Sequence, residues 1–121
     1  MTIQVDFLVI GSGLAGLNAA LRLGESGDVL VVCKRHPSES NTAHAQGGLA
    51  SVMSDEDSFE APVQDTLTAG AGLCTSDVVT KIVSEGPRAV RRLVGHGVRF
   101  DESGDHFDLT REGGHTKRRI L

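Results

Sequence analysis

A glycine-rich turn between an apolar run and a helical pattern constrains the fold of this chain more than any other feature. Residues 5–10 (VDFLVI) form a short, β-branched run of the kind that becomes a buried parallel strand. A helical pattern covers residues 14–25, and residues 29–33 (VLVVC) form a second apolar run. A strand, a helix and a strand at this spacing predict a βαβ unit and therefore an α/β fold.

The turn follows the pattern G-x-G-x-x-G. Its residues are Gly11, Ser12, Gly13, Leu14, Ala15 and Gly16. We expect Gly11 to permit the tight turn, Gly13 to let the backbone approach a pyrophosphate, and Gly16 to let helix and strand pack closely. The free N–H groups and the dipole at the helix N-terminus would then hold the anion. The pattern predicts dinucleotide binding, and the alternative is that the glycines serve packing alone.

The end of the second predicted strand departs from the usual dinucleotide-binding pattern. An acid normally stands there and binds a ribose hydroxyl, whereas this chain has Lys34 followed by Arg35. A cation at this position can contact a 2′-phosphate or another phosphate oxygen. The glycine turn and this position together do not select the cofactor.

Residues 34–54 lack periodicity, and within them lies a run of small and hydrogen-bonding residues that ends in paired glycines. The run consists of Ser40, Asn41, Thr42, Ala43, His44, Ala45, Gln46, Gly47 and Gly48. Such a loop can press its backbone against a flat polar ring system and offer N–H donors to it. A surface loop rich in turn-forming residues is the alternative interpretation.

The second half of the chain predicts helices and a hairpin. A helix is expected over residues 59–69, and Ser76 is a suitable N-cap for another helix. Pro87 either interrupts that helix or begins a new turn. Residues 98–101 and 106–110 alternate as two short strands around a four-residue turn, which predicts a β-hairpin.

Composition and charge exclude several classes of function. The 121 residues carry 16 acidic and 12 basic side chains, a net charge of −4, and their aromatic residues are four Phe. A nucleic-acid binder needs a basic face or a stacking platform, so no nucleic-acid partner is expected. We expect the basic run at residues 117–119 to be a solvated end of the chain, and a partner-binding site is the alternative interpretation.

Compartment and metal content follow from a few residue types. No apolar run approaches the roughly 20 residues that span a bilayer, so no membrane partner is expected, and no signal peptide is evident. Cys33 and Cys74 are expected to be buried, reduced thiols of a cytoplasmic protein. The histidines show no metal-ligand spacing, so no metal site is predicted.

Five blocks of sequence carry a family resemblance. They are VIGSGLAGLNAALRL (9–23), VLVVCKR (29–35), SNTAHAQGGLA (40–50), DTLTAGAGLC (65–74) and DLTREGGHTKRRIL (108–121). Together they resemble the L-aspartate oxidase family, within the succinate dehydrogenase and fumarate reductase flavoprotein superfamily. The AQGG and TREGGHxxRRIL patterns are much more specific than the glycine turn. The resemblance implies an incomplete Rossmann-like FAD-binding domain, with a βαβ unit, additional helices and a short hairpin.

The resemblance also implies which residues contact FAD. They are Ser12, Gly13, Leu14 and Ala15 with the flanking Gly11 and Gly16, then Lys34, and then Asn41, Thr42, Ala43, His44, Ala45, Gln46, Gly47 and Gly48 around the flavin. In this family a Ser or Lys commonly replaces the ribose-binding acid, which accounts for Lys34. Respiratory succinate dehydrogenases attach FAD covalently to a histidine at the position of Asn41. Because Asn41 cannot form that bond and His44 is out of register, we expect non-covalent FAD.

The implied reaction is the oxidation of L-aspartate to iminoaspartate, with O2 or fumarate as the electron acceptor. Glu112 matches a glutamate that orients the amino group of aspartate, whereas no catalytic residue is expected in this chain. His115 is interpreted as a neighbour in the pocket or loop and not as a base. The product would feed quinolinate synthase, the next enzyme of NAD biosynthesis.

Members of the family are several times longer than this chain. We therefore expect residues 1–121 to be the N-terminal part of an FAD-binding domain, with the remaining FAD-domain strands, a capping domain, a helical C-terminal domain and the catalytic arginine beyond Leu121. Alone, this part is expected to be inactive and to self-associate. The alternatives are part of a soluble fumarate reductase-like flavoprotein, or a non-enzymatic remnant that self-associates.

Overall fold

The computed structural model describes residues 2–45 and 48–121. The chain divides into two compact units, Met1–Gly47 and Gly48–Leu121. None of the helices in the described part of the chain is long and apolar enough to cross a membrane.

The first unit is built on a βαβ arrangement. Strand β1 (Phe7–Ile10) leads into helix α1 (Leu14–Leu23), which is followed by strand β2 (Val29–Val32). The two strands pair in parallel along their whole lengths. The α/β prediction is confirmed, although both strands are shorter than predicted and α1 ends two residues early.

The two strands are covered less completely than their sequences predict. Val9 is buried beside α1, but its neighbours Leu8 and Ile10 are 58% and 83% exposed. Successive side chains of a strand point to opposite faces, so the residues on either side of Val9 lie on the face away from α1. Apolar strands of this kind were expected to be covered on both faces. In the structure, this unit covers only the face of the strands that contains Val9.

A short helix lies in the stretch that was expected to be irregular. Helix α2 (Asn41–His44) begins after Ser40, whose Oγ accepts a hydrogen bond from the backbone N–H of Ala43 at 3.1 Å. Serine is a favoured N-cap because its side chain satisfies one of the free N–H groups of the first turn. The capping serine is a local signal for this helix that the periodicity alone does not carry.

The second unit contains two longer helices that pack on each other. Helix α3 (Glu60–Ala69) agrees with the predicted span, and helix α4 (Ser76–Gly95) runs for 20 residues through Pro87 without interruption. Pro87 lacks the N–H that would bond the preceding turn. It lies on the same helical face as the buried Val79 and Val90, so the packed face continues across it. The expected N-cap was wrong by one residue, because α4 begins at Ser76 and Thr75 precedes it.

The hairpin is present but displaced along the chain. Strands β3 (Glu102–Ser103) and β4 (His106–Phe107) pair antiparallel, with Ser103 opposite His106. The prediction of a first strand at residues 98–101 is wrong. The turn has two central residues instead of four, because Gly104 takes a left-handed φ of 66° that few other residues adopt readily. Pairing therefore starts closer to the turn than the alternation suggested.

The last residues of the chain lie between two other segments of this unit. Ile120 is buried and forms antiparallel bridges with Ala50 on one side and Thr110 on the other. Backbone hydrogen bonds join Leu49 and Leu121 in both directions, at 3.1 and 3.0 Å. The C-terminal segment, residues 119–121, thus joins residues 49–51, at the start of this unit, to Thr110.

Candidate functional site

Gly11 and Gly16 have structural reasons to be glycine. Gly11 has a φ of 118°, in the left-handed region that a side chain disfavours. A Cβ added at Gly16 would collide with the carbonyl oxygen of Gly11 and would lie 3.5 Å from Cγ1 of Val9. The turn and the close approach of α1 to β1 therefore require these two glycines, as the spacing predicts.

Gly13 is different, because nothing in the described structure requires a glycine there. Its φ of −72° and ψ of 174° suit any residue, and an added Cβ would meet only Oγ1 of Thr42, at 3.8 Å. This residue is the N-cap of α1, beside the first-turn N–H groups that have no acceptor within the helix. A molecule that approaches the backbone at this point would explain the glycine.

The structure brings some of the predicted cofactor-binding residues together. The hydroxyl oxygen of Thr42 accepts a hydrogen bond from the backbone N–H of Leu14 at 3.3 Å, so α2 lies against the start of α1. Ser12 is buried within the turn. The backbone N–H of Gly11 donates to the carbonyl of Val32 at 2.8 Å, which joins the glycine turn to the end of β2.

Other predicted residues are exposed in the same unit. Lys34 is exposed two residues after β2, at the carboxyl edge of the parallel strands where ligands of such folds bind. Asn41, Ala43 and Ala45 are also exposed. His44 is exposed too, with Nε2 lying 3.7 Å from a carboxylate oxygen of Glu39. Gln46 and Gly47, both predicted to contact flavin, lie outside the described residues.

Gly48 begins the second unit at a point of close backbone approach. A Cβ there would collide with Cγ2 of Ile120 and with the carbonyl oxygen of Leu121. The backbone N–H of Ser51, three residues on, donates to the carbonyl of Arg119 at 2.9 Å. The end of the predicted flavin-binding run is therefore held directly against the C-terminal segment.

Glu112 lies on the loop of residues 111–118, and the residues that flank this loop are joined by backbone hydrogen bonds. Thr110 and Ile120 close its base through backbone hydrogen bonds of 2.9 and 3.1 Å. Within the loop, the N–H of His115 donates to the carbonyl of Glu112 at 3.3 Å, and Gly114 has a left-handed φ of 82°. Glu112 itself is exposed at this turn, so its carboxylate is available to a ligand.

The end of the basic run is buried, contrary to the expectation of a solvated end. The side chain of Arg119 is 1% exposed and forms ion pairs with two carboxylates. Its Nε and Nη2 donate to Asp57 at 2.7 and 3.0 Å, and its Nη1 donates to Oδ2 of Asp65 at 2.7 Å. Lys117 and Arg118, by contrast, are exposed.

The contact between Arg119 and Asp65 shifts the pKa of both side chains in favour of their charged forms. Burial would lower the pKa of Arg119, but the hydrogen bonds that it donates to Asp57 and Asp65 raise that pKa above its ordinary value. Burial would raise the pKa of Asp65, but hydrogen bonds from Thr116 and Arg119 hold that pKa below its ordinary value. The two aspartates lie 62 and 54 residues before Arg119, so no local pattern connects them.

Thiols and metals add little to the site. Cys33 and Cys74 are both free and only half-buried, less buried than expected. In the described part of the chain, no group of three or more metal-binding side chains comes together.

An open groove of about 1220 Å³ lies in the second unit, beside the loop that carries Glu112. Basic side chains line it together with acidic ones, namely Arg91, Arg111, Lys117, Arg118, Asp55, Glu56, Asp57 and Asp105. Because both signs of charge line the groove, its electrostatics do not select a ligand.

Comparison with known proteins gives consistent matches over the whole chain. The profile of the family described as FAD binding domain matches residues 6–121. L-aspartate oxidase 2-b, chloroplastic, of Nicotiana tabacum is 47% identical over 100% of this chain and 19% of its own length. L-aspartate oxidase of Mycobacterium bovis is 52% identical over 96% of this chain and 23% of its own length.

The fold of this chain is also similar to the folds of solved structures. A mutant FrdA of E. coli quinol fumarate reductase matches with a TM-score of 0.90 and 33% identity, over 99% of this chain and 21% of that one. The Sdh1 complex of Mycobacterium smegmatis matches with a TM-score of 0.88 and 32% identity, over 96% of this chain and 20% of that one. The chain spans about a fifth of the length of the relatives it matches.

Proposed function

Because the chain belongs to the family of FAD binding domains, we propose that it is the N-terminal part of a longer flavoenzyme that oxidises L-aspartate. The similarity to L-aspartate oxidases over the whole chain supports this substrate. The complete enzyme would supply the rest of the FAD-binding domain, a capping domain, a helical domain and the catalytic arginine. Residues 1–121 alone would be inactive.

The glycine turn is the proposed binding site for the pyrophosphate of FAD. Gly13 supports this assignment, since the fold leaves a Cβ room there and yet the residue is glycine. The backbone N–H groups at the start of α1 and the helix dipole favour an anion at this point. Lys34 would contact the ribose or a phosphate oxygen at the adjacent strand end. When bound, FAD supplies the redox chemistry by accepting a hydride from the substrate.

The bound FAD is proposed to be non-covalent. Asn41 carries a carboxamide, which is not a nucleophile, at the position where covalent relatives carry histidine. His44 is exposed on α2 and faces the carboxylate of Glu39 at 3.7 Å. Asn41 thus has no attachment point for the flavin, and His44 is three residues away from the position at which covalent relatives form that bond.

Glu112 is the residue that we assign to the amino group of L-aspartate. The observation that carries this assignment is the close contact of Gly48, at the end of the flavin-binding run, with Ile120 and Leu121, continued by the backbone hydrogen bonds between Leu49 and Leu121 in the segment that closes the Glu112 loop. A carboxylate at this turn would accept hydrogen bonds from the substrate ammonium and so orient the Cα–H bond. The substrate would lose a hydride from Cα and a proton from nitrogen, which gives iminoaspartate.

The electron acceptor and the next enzyme belong to the same proposal. Dioxygen or fumarate would take the two electrons from the reduced cofactor, and quinolinate synthase would consume the iminoaspartate. We propose the cytoplasm as the compartment, which the two free thiols support. A fumarate reductase-like activity is the second candidate, because solved structures named for that activity match closely.

Residues 1–121 in isolation are proposed to self-associate. Leu8 and Ile10 expose apolar surface on one face of the two-stranded sheet, and both edges of a two-stranded sheet can accept another strand. In the complete enzyme the rest of the FAD domain would cover this surface. A non-enzymatic, self-associating remnant is the third candidate.

Replacement of Glu112 in the complete protein tests the assignment. Glu112→Gln should reduce kcat/KM for L-aspartate by roughly 10- to 150-fold, the effect of weakening one charge-assisted hydrogen bond. Fumarate reduction should change little, because fumarate has no amino group. Glu102→Gln, an equally exposed acid on the hairpin, is the matched control and should leave both activities intact. Equal losses with both substrates would refute the role of Glu112.

A further inference from the structure

The Glu112 loop is held at a second point besides its base. The backbone N–H and the hydroxyl of Thr116 both donate to Oδ2 of Asp65, each at 2.9 Å. Asp65 lies on α3, a different element of the same unit. The same oxygen accepts the 2.7 Å hydrogen bond from Arg119, at the base of the loop. One carboxylate oxygen therefore fixes both the loop and its base to α3.

The hydrogen bonds between Thr116 and Asp65 hold the loop four residues after Glu112. Thr116 directly follows His115, whose N–H closes the turn onto the carbonyl of Glu112 at 3.3 Å. The intervening Gly113 and Gly114 add no packing contacts of their own, and a Cβ at either residue would meet open space. The position of the turn therefore depends on the residues that hold its ends.

We propose that Asp65 is a positioning residue for Glu112, and thus for the amino group of the substrate. This inference rests on the proposed function, because it assumes that Glu112 receives the substrate ammonium. Asp65 sets the direction of the Glu112 carboxylate by holding Thr116, and it does not touch the substrate itself.

The hold of Asp65 on the loop and on Arg119 depends on its negative charge. Three donors, one of them a guanidinium, converge on a single oxygen of a side chain that is 10% exposed. The single amide oxygen of an asparagine could take the same place, but it carries no net charge, so each of these hydrogen bonds would be weaker, above all the one from the guanidinium. Replacement of Asp65 by Asn would therefore weaken the hydrogen bonds from Thr116 and remove one of the two ion pairs of Arg119.

Asp57 provides a matched control within the same ion cluster. It binds Arg119 through two hydrogen bonds, at 2.7 and 3.0 Å, and is as buried as its partner. Its side chain has no hydrogen bond to Thr116 in the described structure. Asp57→Asn thus weakens the ion pair with Arg119 and leaves the hydrogen bonds between Thr116 and Asp65 in place. Asp65→Asn weakens both kinds of contact.

The experiment compares Asp65→Asn, Asp57→Asn, Thr116→Val and Glu112→Gln in the complete, FAD-loaded protein. Thermal midpoints, kcat and KM for L-aspartate and for fumarate, and amide hydrogen exchange of residues 111–118 are measured for each. We expect both Asn variants to lower the thermal midpoint. Asp65→Asn should also raise KM for L-aspartate about tenfold, the effect of one hydrogen bond, with little change for fumarate, and should speed exchange in the loop.

Thr116→Val keeps the inference testable if Asp65→Asn does not fold. Thr116 is exposed, and the variant loses the hydroxyl donor but keeps the backbone N–H, so it should fold and raise KM for L-aspartate by roughly two- to fivefold. A selective effect of Glu112→Gln without one from Asp65→Asn or Thr116→Val would overturn the positioning role alone. An unselective Glu112→Gln would overturn the proposed role of Glu112 and the inference together. Equal KM effects in the Asp57 and Asp65 variants would show a structural role only.

Discussion

Alanine substitutions at Gly16 and Gly13 separate the two roles that the glycine turn combines. A Cβ at Gly16 collides with the carbonyl oxygen of Gly11, which is backbone and cannot rotate away, and it also touches Val9. Helix α1 must therefore move away from β1. Overpacking of this kind costs roughly 1–3 kcal/mol, and we expect Gly16→Ala to lower the free energy of unfolding by that amount.

The same substitution at Gly13 meets no such obstacle. An added Cβ would lie 3.8 Å from Oγ1 of Thr42, an ordinary contact, and the backbone angles are allowed for alanine. Alanine is a poorer N-cap than glycine, at a cost on the order of 1 kcal/mol. Alanine also allows the unfolded chain fewer conformations than glycine does, which offsets this cost by roughly 0.4–1 kcal/mol. The free energy of unfolding should therefore change little.

The effects on FAD binding should follow a different pattern from those on stability. A methyl group at Gly13 keeps the backbone away from the pyrophosphate, and the loss of one charge-assisted hydrogen bond costs roughly 1.5–3 kcal/mol. We expect Gly13→Ala to weaken FAD binding by about 10- to 150-fold in the complete protein. The assay pairs thermal unfolding of the apoprotein with titration of FAD followed by flavin fluorescence. Wild-type FAD affinity in Gly13→Ala, or a loss of stability as large as in Gly16→Ala, would refute the reasoning.

Three further outcomes are expected. After acid precipitation of the complete protein, the flavin should stay in the supernatant because Asn41 offers no attachment point, and flavin retained in the washed pellet would contradict this. Isolated residues 1–121 should sediment as a dimer or larger species at several concentrations, because Leu8 and Ile10 are exposed. They should also bind FAD weakly or not at all. A stable monomer that binds stoichiometric FAD would contradict both expectations. Asp65 has a pKa lowered in the folded state, so the stability it contributes is present above about pH 4 and is lost as the pH falls through that lowered pKa. The difference in unfolding free energy between wild type and Asp65→Asn should accordingly shrink below about pH 4, and a constant difference would exclude the linkage.

The parts of the fold that were predictable depend on short-range chemistry. Two apolar runs around a glycine turn define the βαβ unit, and the steric needs at Gly11 and Gly16 follow from the spacing alone. The hairpin was misplaced because alternation does not determine the turn length, which the left-handed Gly104 sets. Pro87 disfavours a helix locally, but the buried face of α4 continues through it and outweighs that preference.

The candidate site was predictable in a different way. Glu112 is an exposed loop acid by its local sequence, and only the family resemblance singles it out. The ion pairs of Arg119 with Asp57 and Asp65 join residues that are distant in sequence, so they form only when the tertiary fold brings α3 and the residues just before it to the C-terminal segment. A basic run at a chain end is usually solvated, and its burial here depends on those two partners.

The central claim is that this chain forms part of the FAD site of an L-aspartate-oxidising enzyme. Anaerobic addition of L-aspartate to the complete protein, followed by the visible absorbance of the flavin, tests it most directly. We expect L-aspartate to bleach the flavin and dioxygen or fumarate to restore its colour, and we expect Glu112→Gln to slow the bleaching by L-aspartate. A flavin that stays oxidised in the presence of L-aspartate but is bleached by succinate would contradict the account.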